Sequence, residues 1–523
     1  MTSQTKDVII AGGGLAGLSL AYQLKITKPE LDVLVVERNK FPVPEKTAKV
    51  GESTVEIGAR YLNHTLGLKE HFSERHLRKH GLRCFFGAPQ DDFAGQDELG
   101  VSQLFGIPTY QIDRGAIENY LQSAIREQGV EVLDGVSTQS IELTEKMKSV
   151  TVKDADVEKT FSGRWLVDAA GRQALIKNKL DLKQESAHKG NALWFRIDRQ
   201  VKIDDWSNDE NWKNRVKQKS TRWLSTNHLM GPGYWVWVIP LDNGATSIGI
   251  VMDDQAFADG NFSNIDTTMD WLRVNQPHCA HAVEGAEVLD FVVINDYSHG
   301  CKQMFSDQGW GVTGESGVFA DPFYSPGSDF IALNNTFIND LICRSARGEN
   351  IHLESRLYQG INQSFFDSTL SLYTGQYGGF GDRRMMSLKL VWDYAYYWGV
   401  LSLLFFKSAI TDVSLMRDLK PVLLRSQQAN AMVQEGFRRR AEQRLILPAQ
   451  GLFLDQYLLP CLRHFNKVLI DENVSTKLTI MENVEILERL KGYLLDMLRE
   501  GVSNTISDDE RSLLGEYRRC VLA

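Results

Sequence analysis

An α/β fold with a second sheet threaded through it and a helical C-terminal region is predicted by three features of the sequence. A glycine-rich turn joins an apolar strand to an amphipathic helix within the first 25 residues. Strand-like runs recur around 82–87, 192–198, 234–252 and 287–294, between segments that belong with the first turn. From about residue 350 the apolar spacing becomes helical, as in Ile480, Val484, Ile486, Leu487, Leu490, Leu494 and Met497. The predicted division is a domain over 1–349, its second sheet drawn from about 75–110 and 185–300, followed by a helical domain over 350–523.

The first element is the strand Asp7-Val-Ile-Ile, which runs into Ala-Gly-Gly-Gly-Leu-Ala-Gly and then the helical pattern Leu18, Leu20, Ala21, Leu24. Gly12, Gly14 and Gly17 fit GxGxxG at this strand-to-helix turn. The first glycine permits the turn, the second lets backbone approach a pyrophosphate, and the third lets helix and strand pack closely. The helix N-terminus then offers N–H groups and positive dipole to the phosphates. A second strand, Val33-Leu-Val-Val, ends at Glu37, where a Rossmann-like fold places the carboxylate that receives the ribose hydroxyls.

Three later segments distinguish FAD from NAD. Gln111-Ile-Asp-Arg precedes the helical run Ala116, Ile117, Tyr120, Leu121, so Asp113 is a candidate N-cap and Arg114 a candidate flavin neighbour. Trp165-Leu-Val-Asp-Ala-Ala-Gly-Arg resembles the strand end of flavin monooxygenases and halogenases, with Asp168 in the acidic position. Gly314-Glu315 and Asp321-Pro322 resemble that superfamily's second flavin contact. In this order they describe the FAD fold of aromatic hydroxylases. No second glycine-rich nucleotide turn occurs in the chain, so reduced flavin is expected from a separate reductase.

Three further motifs resemble those of flavin-dependent halogenases. Trp235-Val-Trp-Val-Ile-Pro matches WxWxIP and alternates as a strand, placing Trp235 and Trp237 on one face. Paired strand tryptophans also serve simply as core. Phe319-Ala-Asp-Pro-Phe-Tyr-Ser-Pro-Gly fits FxxPxxSxG, the turn whose backbone N–H groups hold halide in that family; here the candidates are Ser325, Gly327 and Ser328. Pro326 has no N–H to offer, and Tyr324 stands where tryptophan halogenases place a catalytic glutamate. Both departures resemble halogenases of phenols or pyrroles. Lys79, preceding Gly81-Leu-Arg-Cys-Phe, sits like the lysine with which these enzymes present hypohalous acid. Upstream, Gly51, Glu52, Ser53 and Thr54 resemble the family's flavin-loop motif. Arg78 is a rival for the lysine's role, and a solvated basic face is the plainer reading.

The resemblance covers roughly residues 5–345. It implies that reduced FAD activates oxygen, that chloride or bromide becomes hypohalous acid, and that Lys79 directs the halogen onto an electron-rich ring past Trp235 and Trp237. The ring is a phenol or pyrrole, free or tethered to a carrier protein. Two other readings stay open: an aromatic hydroxylase sharing every cofactor motif, and a carrier-binding flavoprotein that does not halogenate.

Composition sets the remaining bounds. A formal charge of −9 disfavours general nucleic-acid binding. The six cysteines form no CxxC pair, as expected of reduced thiols in a cytoplasm. No metal is expected: His76 and His80 stand four apart, but Leu77 occupies the place where HExxH needs glutamate. The apolar run from Leu390 to Phe406 is short for a membrane span and is interrupted by Asp393; it reads as a buried helix or pocket wall. Ser507 and Glu510 form a candidate capping box for the last helix.

Overall fold

The computed structural model describes residues 5–46, 49–88, 90–154, 157–260 and 262–498. Ser507, Glu510 and Cys520 lie outside them. The chain divides into two compact units: 1–75, 112–186 and 298–366 form one, and 76–111, 187–297 and 367–523 form the other.

In the first unit, Thr5–Ala11 lies between Val33–Glu37 and Val157–Asp168, all parallel, with Glu131–Asp134 parallel on the outer side of Val33–Glu37. Val8, Ile9, Ile10 and Ala11 are fully buried, the continuous apolar run expected of a parallel strand covered on both faces. Each such Val or Ile removed from water contributes ~2 kcal/mol. Lys148–Asp154 runs antiparallel to Val157–Asp168. Trp310–Val312 pairs in parallel with the end of that long strand, bringing the chain back beside the glycine turn. Helix Leu15–Thr27 follows the turn, and helix Gly327–Ala346 follows the FxxPxxSxG loop.

The second unit is built on an eight-stranded sheet in the order Val288–Ile294, Asn191–Ile197, Thr246–Met252, Tyr234–Pro240, Thr226–Gly231, Leu82–Phe86, Asp97–Gly100, Phe453–Asp455. One face carries the hydrophobic core, including Phe85, Leu193, Phe195, Leu229, Val236, Val238, Ile248 and Ile250. The other face therefore carries the alternate residues, among them Cys84, Trp194, His228, Trp235 and Trp237.

Helices predominate from His352–Leu370 onward. The apolar stretch forms Arg383–Tyr396, a π-helical segment Tyr397–Ser402, and Leu403–Phe406. It is buried, and Asp393, the residue that interrupts its apolar character, pairs with Lys389 at 2.8 Å. No helix among the described residues is long and apolar enough to cross a membrane. Helix Thr476–Leu498 buries Ile480, Val484, Leu487, Leu490, Leu494 and Met497, following the apolar spacing of the sequence.

Candidate active site

The glycine turn has the form of a phosphate cradle. Gly12 adopts φ +115°, and a Cβ there would stand 2.2 Å from the Ala169 carbonyl oxygen. A Cβ on Gly17 would fall 1.9 Å from the Gly12 oxygen, so only glycine lets this helix start so close to the strand. Gly14 caps the helix without any side-chain hydrogen bond, and the space beside it is open. The first-turn N–H groups are the donors a pyrophosphate needs. These residues fit an adenine dinucleotide.

Glu37 is buried at the end of its strand. Its Oε2 accepts the Gly13 N–H at 2.7 Å, and its Oε1 accepts both the backbone and side-chain N–H of Asn39. Asp168 is fully buried and braces the turn after its strand, accepting the N–H of Ala170 at 3.0 Å and of Ile176 at 2.8 Å. Burial raises its pKa, against the pull of those backbone donors. Asp113 caps helix Arg114–Glu127 through the Ala116 N–H. Arg114 ties down the loop before Glu52, donating to the Val50 carbonyl at 2.6 Å and to Glu118 at 2.7 Å. Gly51, at φ +100°, packs against that guanidinium. Glu52, Ser53 and Thr54 are buried, and the Glu52 carbonyl accepts the Ile112 N–H.

The FxxPxxSxG loop is also in the first unit. Asp321 is buried and accepts the Phe323 N–H at 2.9 Å. Ser325 takes the left-handed conformation, φ +57°, and its N–H donates to the Pro322 carbonyl at 2.9 Å. That N–H is therefore spent within the turn. Pro326 is the N-cap of helix Gly327–Ala346 and has no N–H, so Gly327 and Ser328 supply the first helical donors. The Ser328 hydroxyl points at Gly58, where a Cβ would come within 2.3 Å of it. Asp329 holds the same segment by accepting the Gly58 N–H at 2.8 Å.

In the second unit, Trp235 and Trp237 stand on the same sheet face with ring centroids 5.7 Å apart. Trp237 lies over Gly249, where a Cβ would come within 2.1 Å of its ring, and its indole N–H donates to Ser247 at 3.1 Å. The Trp235 N–H donates to the Tyr377 hydroxyl at 3.1 Å, and that hydroxyl meets Tyr297 at 3.2 Å. Lys79 is 2% exposed, on the short strand Leu77–Lys79 that precedes Leu82–Phe86. Its charge acts on His228, which stacks edge-on against Trp235 at 4.9 Å. Lys79, Trp235 and Trp237 thus all belong to the second unit, whereas the nucleotide turn and the FxxPxxSxG loop belong to the first.

Comparison with known proteins bears on both units. Residues 5–259 match the family model described as FAD binding domain. The chain is 27% identical over 367 residues to a flavin-dependent halogenase of Dictyostelium discoideum, covering 64% of this chain and 60% of that protein. It is 26% identical to a 1H-pyrrole-2-carbonyl peptidyl-carrier-protein chlorinase of Pseudomonas fluorescens, covering 65% and 75%. Over about two thirds of its length the chain is thus similar to flavin-dependent halogenases. The fold of the halogenase PltM, solved with phloroglucinol and FAD, superposes with a TM-score of 0.67 over 98% of each chain at 15% identity. The match spans less than two thirds of the Dictyostelium relative's length.

The sequence motifs did not point to His228, Tyr297 or Tyr377, which the structure places beside Trp235. Thr226–Gly231, the strand that carries His228, is half polar in sequence and was not among the predicted strands. The signal that could have revealed it is its spacing from WxWxIP: two residues, Pro232 and Gly233, separate two antiparallel runs as in a tight hairpin.

Proposed function

We propose that this chain halogenates an electron-rich aromatic, a phenol or pyrrole, free or carrier-tethered, using chloride or bromide, oxygen and FAD reduced by a separate enzyme. The observation that carries this reading is the sheet face on which Trp235 and Trp237 stand with ring centroids 5.7 Å apart, together with the burial of Lys79 in the same unit. A buried ammonium has little water to screen it, so it polarises a neutral oxidant strongly. Aromatic walls hold a flat ring by stacking and fix which carbon faces the halogen.

Reduced FAD, when bound, would activate oxygen, the oxidant that turns halide into hypohalous acid. Gly12, Gly14 and Gly17 would hold its pyrophosphate, Glu37 its ribose, and the loop Glu52–Thr54, Arg114, Asp168 and Asp321 would shape the rest of its site. Gly327 and Ser328 N–H groups, at the positive end of a helix, would hold the halide; Ser325 contributes by fixing the turn. Lys79 donates a hydrogen bond to the oxygen of hypohalous acid, which makes the halogen more electrophilic.

The carrier-tethered form of the substrate is supported by the similarity to a pyrrolyl-carrier chlorinase. It is tested by offering a free phenol, a free pyrrole and a pyrrolyl group on a carrier protein in the presence of bromide, FAD, flavin reductase and NADH. Bromine in any of them, read as the isotope doublet, supports the reading and identifies the substrate form. Oxygen insertion in its place would make the protein a hydroxylase.

A further inference from the structure

Lys79 ends a three-residue strand, so its place depends on what holds the chain on either side of it. On one side Leu77–Lys79 pairs with Thr109–Gln111, with Lys79 opposite Thr109. On the other side the next residue, His80, gives both of its backbone groups to a single segment. Its N–H donates to the Leu224 carbonyl at 3.0 Å, and its carbonyl accepts the Ser225 hydroxyl at 3.0 Å. The Gly81 carbonyl then accepts the Thr226 N–H at 3.0 Å before Leu82–Phe86 begins.

The segment 222–225 is fixed in turn by a buried charge cluster that the halogenation chemistry does not use. Glu98 is fully buried and accepts from two arginines: Arg83 through Nη1, and Arg222 through Nε at 2.9 Å and Nη2 at 3.2 Å. Arg83 also donates to the Val101 carbonyl at 2.8 Å and to the Ser225 hydroxyl at 3.4 Å. Arg222 donates to the Trp212 carbonyl at 2.6 Å, with its guanidinium 4.0 Å over the Trp212 ring. Asp204 accepts the backbone N–H groups of Arg222 and Trp223. Ions buried this completely rarely stabilise a fold better than apolar side chains of the same volume. What they add is direction, because a guanidinium bonds only in its own plane. Arg83, bonded at Glu98, Val101 and Ser225, ties the serine to the rigid sheet.

We propose that Ser225, held by the Glu98–Arg83–Arg222 cluster, is a positioning residue for Lys79. It fixes the backbone one residue beyond the lysine, and so sets where the ammonium meets the oxidised halide. This deepens the functional reading above and rests on it. Neither Ser225 nor Glu98 acts on the halogen. Without the serine hydroxyl, the His80 carbonyl loses this donor and residues 79–81 gain freedom. Hypohalous acid is then presented less well and escapes before it meets the ring, while flavin chemistry in the first unit continues.

The test compares wild-type holoenzyme with Ser225→Ala and Glu98→Gln. Each is reduced without oxygen, then mixed with oxygen, bromide and a phenol, and reoxidation of the bound flavin is followed by absorbance. A parallel run replaces the phenol with a β-diketone scavenger that reports free hypobromous acid. In both variants flavin should reoxidise within about twofold of the wild-type rate. Brominated phenol per flavin reoxidised should fall about tenfold, the scale of a small misplacement at a reacting centre, while scavenger bromination is retained. A merely structural role would lower flavin occupancy and both brominations together, leaving their ratio unchanged. That result, or variants equal to the wild type, overturns the proposal while the halogenase reading stands. A wild type that brominates neither phenol nor scavenger overturns both. Independently of turnover, hydrogen exchange of the holoenzyme should be about tenfold faster at amides 79–81 in Ser225→Ala, with 234–240 still protected. Equal acceleration in both segments, or none at 79–81, shows that Ser225 does not hold the lysine's segment and overturns the proposal.

Discussion

The Trp235 indole donates its N–H to the Tyr377 hydroxyl at 3.1 Å, with both residues buried in the second unit. This bond joins the WxWxIP strand to the 3-10 turn Tyr377–Gly379 and fixes the Trp235 indole in orientation. Tyr377→Phe leaves the indole donor without this partner. It is expected to lower unfolding stability by about 1–3 kcal/mol, the cost of a buried polar group left unmade. The shift of the urea midpoint measures it, and product regiochemistry should broaden in the same variant.

Gly17→Ala is expected to abolish flavin binding. A Cβ would be forced to within 1.9 Å of the Gly12 carbonyl, and that backbone atom has no alternative position within the turn. Absorbance of bound flavin after gel filtration reports the loss, and far-ultraviolet circular dichroism should show the second unit's sheet retained.

Lys389 and Asp393 form a fully buried pair one helical turn apart, 2.8 Å from nitrogen to oxygen. Lys389→Met should destabilise by about 3–5 kcal/mol because the carboxylate is left buried without its cation. Lys389→Met combined with Asp393→Leu should recover most of that loss. Denaturant titration of the three variants decides whether the pair or its burial dominates.

Acid sensitivity follows from the buried histidines. His80 and His299 are lowered to about 4 and His228 to about 3, in each case chiefly by burial. Their folded-state pKa values lie below the unfolded value, so the unfolded chain binds the extra protons. Stability is fully present above about pH 6.5 and is lost as pH falls toward 4. Each such histidine contributes up to about 1.4 kcal/mol per pH unit in that window. His228→Gln should reduce the slope of stability against pH by about one proton.

The nucleotide-binding half was legible because its chemistry is local. Gly12, Gly14, Gly17 and Glu37 lie within a single strand–helix–strand unit, where backbone clearance alone dictates glycine. WxWxIP was legible because strand alternation assigns both indoles to one face. The placement of His228 was not, since it depends on sheet register with Trp237 and Cys84, and no spacing along the chain encodes which strands become neighbours. The use of the Ser325 N–H within its own turn was likewise hidden, because it follows from a left-handed backbone angle at a residue other than glycine.

The central claim is that Lys79 directs an oxidised halide onto an aromatic ring. The most direct measurement supplies wild type and Lys79→Ala with FAD, flavin reductase, NADH, oxygen and bromide, and follows brominated phenol by mass spectrometry alongside NADH consumption. The account predicts a bromine isotope doublet in the wild type that vanishes in the variant while flavin oxidation continues. Equal bromination by both proteins would contradict it.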